Sequence, residues 1–450
     1  MGVIDRGIAA IWNHLHFERT PKGVIVGYRV RDGEISRTQI VIPHQRRSEH
    51  IAIVGKTGTG KSSLLRYMMA QDIASGRGFL CIDLHGDLIP FVLAHLAEHE
   101  RKTGEDLSGR VLLIDPANQE YAVGLNLIES QSVQARAVQI SEMVAILRQR
   151  WSLDHFGART EELLRNSLWV LSENDLTLIE LPTLLTNPAY RLRLLTRVSN
   201  DEVRAFFTER YNRTSEAMQS VMREAVLNKV TAFTVDPGIR HIVGQPRSSC
   251  SLRSAIDQSK FILLDLRKGL LGDNALTFAG LFLTKFKNAV FGRTQKSPFS
   301  LYADELPNLV AAGAAFETLL SECRKFAVSV VSANQFLNQF TPAVKSALAS
   351  VGTILCFQLS AEDAPFLTKA LDGERSLMRT LVTLPHRHLF GKFGDFAQEV
   401  FVPTLKIATT SPASLIKRSL KSFAKPRQQI EQEINDRKPR KATSTLEEWE

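Results

Sequence analysis

The 450-residue sequence predicts an α/β protein built on a mainly parallel sheet, with an inserted all-α domain and a small N-terminal β hairpin. Three observations predict it. Short, continuous apolar runs recur along the chain and lead into helix-periodic segments, as strands buried on both faces require. One of these runs feeds a glycine-rich turn that opens an amphipathic helix. Between about residues 130 and 244 the alternation gives way to long 3.6-period stretches with few β-rich runs.

In chain order, residues 24–30 and 38–42 alternate around Asp32 and Gly33, the signature of a hairpin. Apolar strand candidates follow at 51–54, 78–82, 111–114, 261–264, 299–302, 328–331 and 353–357. The helical insertion is carried by 133–147, 160–171 and 215–234. Residues 411–450 are basic at first (Lys417, Arg418, Lys421, Lys425, Arg427, Arg437, Lys438, Arg440, Lys441) and acidic at the end (Glu447, Glu448, Glu450). Such a tail is expected to be helix-prone and partly disordered. The expected division is therefore a hairpin segment at 1–48, a nucleotide-binding core at 49–129 and 245–410, an all-α insertion at 130–244, and a charged tail at 411–450.

Composition narrows the function classes. A chain that is 44% hydrophobic can bury a large core, and a net charge of +9 is compatible with a polyanionic partner without demanding one. Cys81, Cys250, Cys323 and Cys356 lie far apart, which fits reduced thiols better than disulfides or zinc ligands. Residues 1–22 carry Asp5, Arg6, Glu18, Arg19 and Lys22 and lack the apolar segment of a secretory signal. No apolar run approaches the roughly 20 residues of a membrane span. The expectation is a cytoplasmic protein, brought to the inner membrane, if at all, by a partner.

The glycine-rich turn is Gly55, Lys56, Thr57, Gly58, Thr59, Gly60, Lys61, Ser62, Ser63. Its glycines let successive backbone N–H groups face phosphate oxygens, and the following helix adds its positive dipole end. Lys61 is positioned for the β- and γ-phosphates, and the Ser62 hydroxyl for Mg²⁺. A second signal follows residues 299–302: the strand delivers Asp304, suited to the water shell of Mg²⁺, with Glu305 beside it to activate a water. The plainer alternative is an N-cap aspartate and a solvated glutamate. The base-reading and switch motifs of GTPases are not evident, so ATP is the expected fuel, with Mg²⁺.

Five further residues are candidates with competing readings. Gln335, at the tip of the next strand, can sense the γ-phosphate or cap a helix. Arg324 can serve as an arginine finger in a neighbour's site or complement a helix dipole, with Lys325 as a rival. Asp83, His85 and Asp87 could hold a metal, but a turn with an N-cap is the better reading. Asp115, Pro116 and Asn126 read as structural turn residues.

Taken together, the chain resembles the HerA/FtsK superfamily of ring ATPases, and within it type IV secretion coupling proteins of the TraG/TraD kind and their soluble relatives. The resemblance runs over about residues 50–404. It rests on 55–62, the D-L-H-G-D loop at 83–87, 301–305, S-E-C-R-K-F at 321–326 and 332–335. It also rests on 352–357 followed by S-A-E-D-A at 360–364, and on R-T-E-E-L-L-R-N at 159–166 in the insertion.

The resemblance implies a RecA-like P-loop (ASCE) ATPase core, a homo-hexamer and DNA moved through a central channel. It also implies that the all-α domain helps to select DNA or relaxase–DNA cargo. Lys61 and Ser62 would bind nucleotide and Mg²⁺, with Asp304 and Glu305 as the acidic pair, Gln335 as sensor and Arg324 as the trans arginine. Membrane-anchored members carry N-terminal spanning helices, which this sequence lacks. The leading expectation is an ATP-driven DNA translocase for conjugative transfer with a relaxase or membrane-channel partner. The alternatives are a HerA-like helicase or translocase in repair or phage defence working with a separate nuclease, and a nucleotide-gated assembly protein.

Overall fold

The computed structural model describes residues 23–130, 132–151, 157–305 and 315–439. The charged N-terminal segment 1–22, Arg440, Lys441 and the acidic end at Glu447, Glu448 and Glu450 lie outside the described residues. The chain forms two compact units, one within Met1–Asp115 and Ser251–Ser422, the other within Pro116–Cys250 and Phe423–Glu450.

The strands are β1 (Gly23–Arg31), β2 (Glu34–Pro43), β3 (Ile51–Val54), β4 (Phe79–Asp83), β5 (Val111–Ile114), β6 (Tyr121–Val123) and β7 (Phe261–Asp265). They continue with β8 (Phe299–Asp304), β9 (Val328–Asn334), β10 (Thr353–Cys356), β11 (His388–Phe393), β12 (Phe396–Phe401) and β13 (Ala424–Pro426). The first unit holds an 11-stranded sheet in the order β2-β1-β12-β11-β10-β3-β9-β8-β4-β7-β5. From β10 through β5 every neighbouring pair is parallel; β11, β12 and the β1–β2 hairpin extend the sheet antiparallel. The expected fold class is the one observed.

Burial explains why the parallel strands read as unbroken apolar runs. Every residue of β3, β4, β5, β7, β9 and β10 is buried, since helices cover both faces. The helix Lys61–Ala74 buries Leu64, Leu65, Met68, Met69 and Ile73, the stripe its sequence period predicts. This stripe joins Phe91, Val92 and Leu96 of the helix Leu88–Thr103 and Ile53, Val331 and Leu355 of the sheet in one core.

The hairpin turns at Asp32 and Gly33, both with positive φ, as a tight two-residue connection needs. It is not an isolated appendage: β1 pairs with β12, Tyr28 opposite Phe401. The strands β11 and β12 go unpredicted, because Lys392, His388, Gln398 and Glu399 dilute their apolar alternation.

The second unit is helical, with its longer helices at Val133–Trp151, Gly157–Glu173 and Glu216–Thr234, and one short pairing of β6 with β13. Its helix starts follow local chemistry. Asn187 accepts from Tyr190 N–H, and Thr177 with Glu180 forms a capping box. The last helix among the described residues, Arg427–Asp436, buries Ile430 and Ile434, and Arg437 Nε donates to Glu180 Oε1 at 2.9 Å.

Candidate functional site

The glycine-rich loop is anchored at both sides of β3. Gly55 N–H donates to Asn334 O at 3.1 Å and Lys56 N–H to Gln358 O at 2.8 Å. A Cβ on Gly55 would sit 2.6 Å from Phe357 Cβ, and Gly60 has φ +120°, so glycine is required at both places. Thr59 Oγ1 donates to Lys56 O at 2.8 Å and closes the curl. The helix begins at Lys61 with no side-chain cap on Gly60. The N–H groups of its first turn therefore face the loop mouth, the arrangement that binds phosphate elsewhere.

Lys61 is buried, and its Nζ donates to Gly55 O at 2.7 Å and Lys56 O at 2.8 Å. Burial lowers its pKa, while the carboxylates of Asp304 and Glu305 oppose that shift. The loop's own carbonyls thus hold the ammonium where phosphate oxygens would compete for it. Thr57, Gly58 and Ser63 are exposed on the rim.

β8 ends at Asp304, whose Oδ2 accepts from Ser62 Oγ at 3.0 Å. Burial raises the Asp304 pKa, with Ser62 and Lys61 pulling the other way. The next residue, Glu305, has φ +57°, a strained conformation for a non-glycine residue and one that clusters at functional sites. Its carboxylate is held from two sides. Gln335 Nε2 donates to Oε1 at 2.8 Å, and His85 Nε2 lies 2.8 Å from Oε2. Thr57 Oγ1 in turn donates to Gln335 Oε1 at 3.1 Å, tying the loop to β9. Lys61, Ser62, Asp304, Glu305 and Gln335 thus converge, although Gln335 touches Glu305 where the sequence suggested phosphate, water or a helix cap.

His85 is the residue in this group that the sequence placed elsewhere, as part of a metal or turn motif. Its position follows from Asp83, which organises the loop after β4. Asp83 Oδ1 accepts from the N–H groups of His85 at 3.1 Å and Gly86 at 2.7 Å. Its Oδ2 accepts from Leu88 at 2.8 Å and Ile89 at 2.9 Å. Both oxygens are therefore spent on backbone, as the turn-and-cap alternative requires. Among the described residues no three His, Cys, Asp or Glu side chains group as a metal site. The signal available in the sequence was His85 two residues beyond a strand-ending aspartate.

Beside the loop, Asp265 ends β7 and pairs with Arg267 at 3.0 Å, while Arg267 also reaches Asp115 at 3.1 Å. Burial and the neighbouring Asp115 push the Asp265 pKa up to about 6.

Arg324 stands apart from this constellation. It lies on the turn Cys323–Phe326 that precedes β9, at the opposite end of the strand from Gln335. Its side chain is 65% exposed and bonds Glu49 at 3.0 Å. Lys325 pairs instead with Glu322 at 3.0 Å.

The donors at the loop mouth suit Mg²⁺ and a nucleotide: one hydroxyl and one carboxylate in contact, an ammonium and a helix N-terminus. Comparison with known proteins agrees with that geometry. Among solved structures, the unbound bacterial conjugative coupling protein TrwBdeltaN70 is 17% identical, with a TM-score of 0.58 and 90% of this chain and 93% of that chain covered. The plasmid coupling protein TrwB in complex with ADP and Mg²⁺ is 19% identical, with a TM-score of 0.55 and coverage of 88% and 93%. VirB4 of Thermoanaerobacter pseudethanolicus is 15% identical, with a TM-score of 0.55 and coverage of 87% and 99%. These likenesses show a shared RecA-like P-loop fold. No curated protein sequence matches the chain. The family described as "Helicase HerA, central domain" matches residues 33–270, more than half of the 450. The chain therefore belongs to the HerA helicase central-domain family, on the P-loop ATPase fold of the conjugative coupling proteins.

Proposed function

We propose that the chain is an ATP-hydrolysing motor that moves DNA for conjugative, type IV secretion-like transfer and works as a homo-hexamer. The observation that carries this reading is Glu305, held by Gln335 and His85 next to the Ser62–Asp304 pair. A site that only bound nucleotide would need the loop and Lys61; an oriented carboxylate beside the γ-phosphate position serves hydrolysis.

In this reading the residues divide the work. Gly55, Lys56, Thr57, Gly58, Thr59, Gly60 and Ser63 frame the phosphates with backbone N–H groups, and Lys61 neutralises their charge. Ser62 and Asp304 would hold Mg²⁺, which supplies charge neutralisation at the β- and γ-phosphates when bound. Glu305 orients a water and takes its proton as the water oxygen bonds to the γ-phosphorus and the bond to ADP breaks. Its contact with Gln335 or with His85 gives way to that water. Gln335 and His85 are positioning residues for the carboxylate, and Gln335 links it to Thr57 in the loop. Arg324, exposed at the far end of β9 from this chain's own loop, would serve a neighbour's nucleotide in a ring. The relatives' names, a conjugative coupling protein and VirB4, favour DNA transfer, with DNA and a relaxase or membrane channel as partners.

Among the described residues no helix is long and apolar enough to cross a membrane. A cytoplasmic protein recruited to the inner membrane by its partner fits that. A second reading, a helicase or translocase in repair or defence acting with a separate nuclease, is favoured by the description of the matched family.

Turnover of ATP with and without DNA at low salt, beside size measurement with ATP, tests the proposal. DNA-stimulated hydrolysis by a ring is expected, and Arg324→Ala should lower ring turnover by about 10³-fold. A chain that stays monomeric and hydrolyses ATP at full speed would refute the ring. Full activity of Arg324→Ala in an assembled ring removes the trans role.

A further inference from the structure

The other ends of the same strands hold a second concentration of charge. A cavity of ≈ 120 Å³ opens where β4, β8 and β9 begin, and its walls include His44, Arg47, Arg77, Phe299, Ser300 and Ser329. Arg47 and Asp72 are almost fully buried, at 5% and 2% exposure. The Arg47 guanidinium forks onto Asp72, Nη1 to Oδ1 at 2.5 Å and Nη2 to Oδ2 at 2.7 Å. Its Nη2 also donates to Ser300 Oγ and Tyr302 Oη, both at 2.9 Å. Tyr302 Oη–H donates to Asp72 Oδ2 at 2.6 Å. Asp72 is thereby committed to Arg47 and Tyr302.

Arg77 brings a second guanidinium to this cavity, and the carboxylate whose field it feels is Asp72, already spent. Burial lowers the Arg77 pKa, and Arg47 lowers it further, against the attraction of Asp72. An arginine stays charged at neutral pH even so. Among the described residues, Arg77 Nη1, Arg47 Nε and Ser329 Oγ are buried with no hydrogen-bond partner. Orphaned polar atoms gathered in the walls of one cavity are unusual, because buried donors are almost always satisfied. Water could bond them but would leave two guanidinium charges beside one carboxylate in a partly enclosed space.

We propose that this cavity is a binding site for a small tetrahedral oxyanion of the phosphate class, held by Arg77 and Arg47 with the Ser329 hydroxyl. A guanidinium edge suits such an anion, offering two parallel N–H donors. The volume is several times what one water needs, yet below the roughly 300 Å³ at which small-molecule pockets begin. A free oxyanion fits within that volume. The site is also separate from the glycine-rich loop, because β8 spans 6 residues between the two, about 20 Å of strand.

Inorganic phosphate tests this on the full chain carrying Lys61→Ala, which removes the loop's own phosphate anchor. Calorimetry should find one phosphate per chain, and millimolar phosphate should raise the melting temperature. Adding Arg77→Ala should weaken binding by about tenfold or more and remove the thermal shift, with Arg77→Lys falling between. Adding Ser329→Ala instead, which keeps both guanidinium groups, should weaken binding severalfold. No phosphate heat in the Lys61→Ala chain overturns the proposal. So does an affinity unchanged by both Arg77→Ala and Ser329→Ala.

Discussion

The two ends of β8 handle charge in opposite ways. At its C-terminal end, Asp304 and Glu305 face a loop whose backbone N–H groups, helix dipole and Lys61 form a ready cradle for anions. At its N-terminal end, Ser300 and Tyr302 help to enclose Arg47 and Asp72, with Arg77 beside them. The first end uses backbone geometry at a strand–helix junction, so contiguous residues encode it. The second uses side chains drawn from separate elements, and its charges are tied into the core. A site of the first kind can lose its chemistry and keep its fold. A site of the second kind puts the fold at risk.

That contrast can be broken by experiment. The largest expected effect is Glu305→Gln, which should cut ATP turnover by about 10²–10⁴-fold and leave a nucleotide-bound protein with an unchanged melting temperature. Substantial residual turnover would mean that another group activates the water. At the other end, Asp72→Asn strands the buried Arg47 charge and should cost roughly 3–5 kcal/mol of stability in denaturant titration. A loss below about 1 kcal/mol would show that Arg47 is not held as a buried ion pair.

A smaller effect sharpens the catalytic end. His85→Ala should lower kcat by about ten- to a hundredfold with KM for ATP unchanged, and His85→Asn should recover part of it. A change in KM alone would assign His85 to nucleotide binding instead of to Glu305.

The smallest effect concerns Asp265, whose pKa is raised to about 6 in the fold. The folded chain then holds a proton that the unfolded chain releases near pH 4, so this group lowers stability as pH rises from about 4 to 6. Asp265→Asn should flatten that segment of the pH–stability curve. It should also stabilise the protein at pH 7 by roughly 1–2 kcal/mol, less whatever the Arg267 bond contributed. A curve unchanged between pH 4 and 6 would contradict the raised value.

How much was legible beforehand differs between the two ends for the same reason. The seven apolar strand runs are all strands, since continuous burial leaves continuous hydrophobicity. The glycine-rich loop and Asp304 are recognisable because their spacing is imposed by a phosphate group. His85 was visible as part of a motif, but its partner Glu305 comes from a different strand, and only folding brings them to 2.8 Å. Arg324 was visible too, before the 328–331 strand that Gln335 follows, but its partner Glu49 comes from a distant part of the chain. The hairpin β11–β12 escaped because one face is half-exposed and its alternation is mixed with charge.

By itself the sequence determined the α/β class, the phosphate-binding loop and the acidic strand end, because each depends on residues adjacent in the chain. Tertiary structure alone decided what surrounds Glu305 and what surrounds Arg77. Arg47 meets Asp72 across 25 positions, and Tyr302 meets it across 230. Contacts between residues so far apart are set by how the strands order themselves in the sheet, and local pattern carries no record of that order.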